Sequence, residues 1–224
     1  MKYFIFSFLI IIFLIILFPI ILVSDSLEKT TFDESFYVAQ FNELGVYDNF
    51  PDNDQVSINL INTQVITYLK GSNPALPRSF FNQKEIDHML DVKVLFNKLF
   101  ALKYGGVALF VILSAILYFL KPNFFKSLNG VFLGGSILTL ILIAAGFFML
   151  VNFDSSFTKF HNVFFEEGSW TFDADSENIV NLYPFQFFLN IFQRIVIIIF
   201  LNSIIFMMLS LFFIRSNNLA KNRI

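Results

Sequence analysis

Histidine is scarce in this chain. Of 224 residues only His88, in EIDHMLDVKVLF, and His161, in FHNVFFEEGSW, carry an imidazole. Its ordinary pKa suits proton transfer near neutrality, so the pair points to general acid–base chemistry. Glu85 lies three residues before His88 and Asp91 three after it, so on a helix either carboxylate stands close enough to orient the ring. A blander reading also fits: partly buried imidazoles satisfied by backbone carbonyls. A metal site is a further option, since His88, Asp91, His161, Glu166 and Glu167 offer nitrogen and oxygen donors. The H-E-x-x-H and H-x-H spacings of such sites do not occur, however. No G-x-S-x-G stretch supports a serine nucleophile, and the absence of cysteine excludes thiolate chemistry. Walker-type and Rossmann glycine patterns are missing as well.

The elements that must position these histidines are membrane helices. The chain is 56% hydrophobic and only 14% charged, with a mean hydropathy of +0.69. Soluble domains carry about a quarter charged residues. Four apolar runs stand out: Tyr3–Val23, Tyr104–Leu120, Val131–Val151 and Ile195–Ile214. Each approaches the roughly 20 helical residues that cross a 30 Å hydrocarbon core. The first is longer than a secretory signal core and is followed by LVSDSLEK with no A-x-A-like site, so it reads as an uncleaved signal anchor. Gly130, Gly134, Gly135, Ala144, Ala145 and Gly146 mark the third run as a close-packing helix.

Charge placement orients the spans. All 17 acidic residues fall in Ser24–Lys103 or Asn152–Pro184. The N-terminus, the Lys121–Gly130 loop and the tail carry only basic residues: Lys2, Lys121, Lys126, Arg215, Lys221 and Arg223. The positive-inside rule puts those pieces, and both termini, in the cytoplasm. Both histidines then face outward on the same side. With a net charge of −2 and no polybasic block, nothing favours nucleic acid as a partner.

The expected fold is an all-α integral membrane protein, with four transmembrane helices and a small helical extracytoplasmic domain between the first two. Its parts are residues 1–23 (first span), 24–103 (outer domain), 104–151 (second and third spans), 152–184 (outer loop with His161) and 185–224 (fourth span and tail). Within the outer domain Ser35–Leu44 and Val56–Leu69 read as helices, the latter with Ile58, Ile61, Val65 and Leu69 on one face. Gly71 is a helix stop; YDNFPDND and SNPALP are loops. Asn82 and Glu85 form a capping-box pattern that starts a third helix. On it Lys84, Asp87, Asp91 and Lys98 share a polar stripe, with His88 at its edge. Gly105 and Gly106 offer a break before the second span, which would let this helix tilt towards the lipid headgroups. Arg194, opening the fourth span, is expected to snorkel to the outer interface or to meet an anionic headgroup or developing oxyanion. FTKFHNVFFEEGSWTF sets His161 among aromatic residues and Trp170, the only tryptophan, an interface anchor by default and also a shelf for acyl chains.

Glu85, His88, Met89, Asp91, Val92 and Lys93 in E-x-x-H-M-x-D-V-K, followed two spans later by F-H-x-x-F-F and a tryptophan, resemble the bacterial lipoprotein intramolecular transacylase family. YLKG (Tyr68–Gly71) and LYPFQFF (Leu182–Phe188) extend the likeness over nearly the whole chain. The resemblance implies a diacylglyceryl lipoprotein substrate whose sn-2 acyl chain moves to the free amine of its N-terminal cysteine, giving a lyso-form. It implies no cofactor or metal, a site among membrane lipids, and two essential histidines matching His88 and His161. His88 is expected as base and His161 as acid or oxyanion partner. Glu85, Asp91, Lys93, Trp170 and Arg194 are supporting or orienting candidates. Oligomeric state is not legible. Two other readings stay open at this point: a non-catalytic envelope protein such as an assembly partner or pH sensor, and a metal-dependent membrane lipid hydrolase.

Overall fold

The computed structural model describes residues 2–72 and 75–221. Asn73 and Pro74 of the SNPALP loop, and Arg223 of the basic tail, lie outside these residues. Helix is the only regular structure among them: α1 (Lys2–Thr31), α2 (Glu34–Glu43), a 3₁₀ turn (Val46–Asn49), α3 (Gln55–Leu69), α4 (Gln83–Leu120), α5 (Phe124–Val151), α6 (Phe153–Phe164), α7 (Asn178–Leu182) and α8 (Phe185–Lys221). Four of them, α1, α4, α5 and α8, are long and apolar enough to cross a membrane.

Local chemistry sets the helix ends. Asp33 and Asp54 cap α2 and α3 by accepting from the backbone N–H of Ser35 and Ser57. Gly71, at φ +84°, lets Gly71 and Ser72 donate back to the Tyr68 and Thr67 carbonyls, closing α3 where a side chain would strain. The expected capping box opens α4. Asn82 Oδ1 accepts from Glu85 N at 3.0 Å, and Glu85 Oε2 accepts from Asn82 N at 2.7 Å.

Gly105 and Gly106 do not break α4, contrary to expectation: it is one helix of 38 residues. Gly106 is there for proximity. A Cβ on it would stand 3.3 Å from Ile21 and 3.6 Å from Leu17 of α1, so the missing side chain admits α1 rather than a bend. At about 1.5 Å per residue α4 is nearly twice the length a bilayer needs. Its apolar run Tyr104–Leu120 is the part whose composition suits a span.

The chain forms two compact units. The first gathers residues up to Leu27, Phe100–Phe148 and residues from Ile195 on. Ile10, Leu14, Leu117 and Val131 form one buried cluster in it, and Leu17, Phe18, Leu22, Ile195 and Ile199 are buried as well. In α5 only part of the small-residue stripe packs: Gly134 and Gly135 meet Ile15 and Phe18 of α1, whereas Gly130 and Gly146 face open space and Ala144 and Ala145 are exposed. Phe18 also meets the rings of Phe132 and Phe206 edge-on, at 5.7 and 5.2 Å.

The second unit is Glu28–Leu99 with Met149–Arg194. Phe41, Val46, Ile58, Ile66 and Leu182 are almost wholly enclosed at its centre, with Tyr37, Tyr183 and Phe187 around them. Its helices are cross-linked by polar bonds between distant parts of the chain. Tyr183 Oη donates to Asn62 Oδ1 (2.9 Å), and Asn190 Nδ2 to Gln40 Oε1 (2.5 Å). Both histidines belong to this unit.

Candidate active site

His88 occupies the second turn of α4. Because Glu85 fixes the start of the helix, the face one turn on carries His88 and Met89 inward, while Lys84, Asp87 and Asp91 stay exposed. His88 is 7% exposed, inside rather than at the edge of the polar stripe. His161 sits in the third turn of α6 and is 9% exposed. The two rings lie nearly parallel, 22° apart, with centroids separated by 6.3 Å.

Aromatic side chains enclose the pair. Phe165 touches both, 4.8 Å from His88 and 5.4 Å from His161. Phe172 lies edge-on to His88 at 5.2 Å, and Phe157 and Trp170 cover His161 at 4.1 and 4.7 Å. A turn at Gly168 (φ +82°) brings the chain back after α6, with Ser169 N donating to the Glu166 carbonyl. That reversal returns Trp170 to the helix it has just left.

The returning segment is held by the first turn of α4. Lys84 Nζ donates to the Thr171 carbonyl at 2.6 Å, pairs with Glu177 at 3.0 Å and stands over the Phe172 ring at 4.9 Å. Glu177 in turn accepts from Asp173 N (2.6 Å), and Asn178 Nδ2 donates to the Phe80 carbonyl (2.6 Å). Glu85, 1% exposed, spends its second oxygen on the backbone N–H of Ile179 at 2.6 Å.

Those bonds correct the expected supporting roles. Glu85 does not orient His88, because both its oxygens accept backbone N–H groups. Asp91 is solvent-exposed. Lys93 places its ammonium over the Tyr68 ring at 4.0 Å. Arg194 is neither snorkelling nor free for an oxyanion: it pairs with Asp33 at 2.5 Å and covers the Phe36 ring at 4.4 Å. Glu166 and Glu167 are exposed, and among the described residues no three His, Asp or Glu side chains converge as metal ligands. Trp170 alone of the supporting candidates reaches the histidine pair. Lys84 and Glu177 went unrecognised in the sequence, where nothing ties a basic residue of one segment to an acid of another.

The two imidazoles differ in what holds them. His161 Nδ1 lies 2.7 Å from the Phe157 carbonyl oxygen, which only accepts, so Nδ1 carries the proton and a neutral ring leaves its Nε2 lone pair free. His88 Nδ1 is buried with no partner among the described residues. Burial lowers the His161 pKa, and the bond to Phe157 opposes that only partly. Burial, with the nearby His161 adding to it, pushes His88 down to about 4. Both rings are therefore neutral at neutral pH. A neutral imidazole pair in an apolar enclosure can accept one proton and donate one hydrogen bond.

A model of the family described as lipoprotein intramolecular transacylase Lit matches residues 10–188, a stretch that includes both histidines. The chain belongs to this family. An uncharacterised protein of Aquifex aeolicus is 27% identical over 107 residues, 48% of this chain and 45% of that protein, so the chain spans under half of that relative. Among solved structures, the in meso structure of the membrane integral lipoprotein intramolecular transacylase Lit from Bacillus cereus superposes with a TM-score of 0.83. It shares 23% identity and is matched over 96% of this chain and 98% of that one. Two further structures of that transacylase, with a histidine substituted, superpose at 0.80. The fold is thus that of the membrane-integral transacylase, four spans included.

Proposed function

We propose that the protein is a lipoprotein intramolecular transacylase that moves the sn-2 acyl chain of a diacylglyceryl lipoprotein onto the amine of its N-terminal cysteine. The observation that carries this reading is the enclosed, neutral pair His88–His161, 6.3 Å between ring centroids. Ester and amine belong to one substrate, so the enzyme needs neither a nucleophile of its own nor a cofactor. It must hold the two groups in attacking geometry, worth several kcal/mol, and handle one proton.

His161 is the base in this reading and His88 the donor, the reverse of the assignment expected from sequence. The α-ammonium, with a pKa near 8, sheds one proton to solvent. The free amine then attacks the sn-2 carbonyl carbon, and His161 Nε2, the atom left free by the bond to Phe157, takes the second proton from the acylated nitrogen. His88, kept neutral by burial, donates to the oxygen that gains charge. The carbon–oxygen bond to the glyceryl group breaks, and the proton held on His161 passes to the departing alkoxide. One amide forms, one ester is lost and no water is consumed. A base so oriented contributes about 10²–10⁴-fold.

The charge asymmetry of the sequence supports an extracytoplasmic location for this unit, with both termini inside. Its substrates would thus be lipoproteins on the outer side of the cell membrane. Expression in a host whose lipoproteins lack N-acylation tests the reading. N-acyl, S-monoacylglyceryl cysteine should appear, and His88→Ala or His161→Ala should abolish it. Lipoproteins left unmodified by a well-expressed wild-type protein would refute it.

A further inference from the structure

Three buried side-chain polar atoms in the outer unit find no partner among the described residues: Thr30 Oγ1, His88 Nδ1 and Trp170 Nε1. Two of the three flank the His161 ring, and they are unlike in kind. An imidazole nitrogen can be donor or acceptor, whereas the indole N–H can only donate. Buried tryptophans ordinarily satisfy that N–H, and leaving it unmet costs about 1–3 kcal/mol. The cost is tolerated here in the one enclosure that also holds the histidine pair. The effort spent holding this segment is equally out of proportion to a surface loop: Lys84 and Glu85 of α4 bind its backbone, and Lys84 also pairs with its Glu177. Trp170 itself lies on His161 at 4.7 Å, tilted by 34°.

We infer that Trp170 is a substrate-contacting residue, its Nε1–H donating to an ester oxygen of the acylated substrate beside His161. The inference rests on the transacylase reading for the ligand's identity and goes beyond it in assigning a second donor besides His88. An indole suits this role because it offers one directional donor on an otherwise apolar body. It can therefore hold a carbonyl without drawing water into an acyl-binding site. With two fixed donors, the ester is presented in one orientation to an amine that His161 deprotonates.

Trp170 is the only tryptophan, so ¹⁵N-tryptophan labelling gives a single indole N–H resonance. The probe is a synthetic S-diacylglyceryl cysteinyl peptide with its amine acetylated, which cannot react; the control is the same compound with ether-linked chains. The ester compound should move the indole proton downfield, and the ether compound should bind without that shift. Equal responses to both, or none to the ester at a saturating concentration, would overturn the assignment. Trp170→Phe, which keeps a ring over His161 but lacks the donor, should lower kcat about 10- to 100-fold with a much smaller change in KM. An unchanged kcat would also overturn it. Were the wild-type protein to bind the ester with the downfield shift yet never form the N-acyl product, the reaction would be refuted and the contact retained.

Discussion

The two units of this protein are built on different terms. In the membrane-spanning unit, apolar packing dominates: among the described residues it has nine buried apolar side chains, and glycines that admit a neighbouring helix. Its helices also share polar links. Lys103 pairs with Asp25 at 2.7 Å and Asn129 reaches the Ser210 carbonyl at 3.3 Å. The second unit has seventeen buried apolar residues and a mesh of long-range polar bonds, and the aromatic contacts to the histidine pair named above lie within it. Packing without directionality can hold helices together but cannot set two imidazoles at a fixed distance. Directional bonds can, because each fails unless both partners are in place.

The comparison is broken most directly at the histidines. His161→Ala should reduce transacylation by 10²-fold or more, read as product per folded protein, while leaving helix content unchanged. An equal loss from a mild substitution in the spanning unit would erase the distinction between units. Acid should expose the same pair from the stability side. Both folded pKa values lie below that of a free imidazole, so between about pH 6.5 and 4 the unfolded chain binds protons that the folded one refuses. Stability should therefore fall as pH drops through that window, and thermal melts in detergent would show it. His88→Phe should flatten the dependence.

Glu85→Ala comes next. It strips the acceptor from two backbone N–H groups, one of them the buried Ile179 N–H, at a cost of about 2–4 kcal/mol. Glu85→Gln, which keeps one acceptor oxygen and can still serve the Ile179 N–H, should cost less. Melting of the two variants, followed through Trp170 fluorescence, gives the order. In the spanning unit Gly135→Ala should destabilise by about 1–3 kcal/mol, because the new Cβ would stand 2.6 Å from the Phe18 ring and 2.8 Å from its Cβ. The folded fraction should keep its turnover. Lys84→Met is the mildest: the ion pair is half open to solvent at the lysine end, so its loss should cost about 1 kcal/mol or less. Turnover should nevertheless fall several-fold, as Phe172 and Trp170 lose their tether.

What the sequence made legible follows the same division. Hydropathy alone located four spans, and local rules located the α4 start at Asn82, the α3 stop at Gly71 and the inward face of Ile58 and Val65. The convergence of His88 and His161 was reached through topology and family likeness, with no local signal for their 6.3 Å spacing. Local rules misled where a distant partner decided the outcome. Gly106 reads as a hinge until Ile21 of α1 is seen against it. Glu85 reads as an imidazole orienter until Ile179, 94 residues on, takes its free oxygen. Arg194 reads as a headgroup ligand until Asp33, 161 residues earlier, claims it. Each error has one cause: a charged or small residue advertises its chemistry but not its partner.

Tandem mass spectrometry of a synthetic S-diacylglyceryl cysteinyl peptide with a free amine, incubated with the purified protein, tests the central claim most directly. Intramolecular transfer conserves every atom, so the intact mass should stay constant while one acyl chain moves from the glyceryl fragment to the amine-bearing fragment. The His161→Ala protein should leave the fragments as they began. Loss of one fatty acid from the intact mass would mean hydrolysis, and, like unaltered fragments with the wild-type protein, would contradict the account.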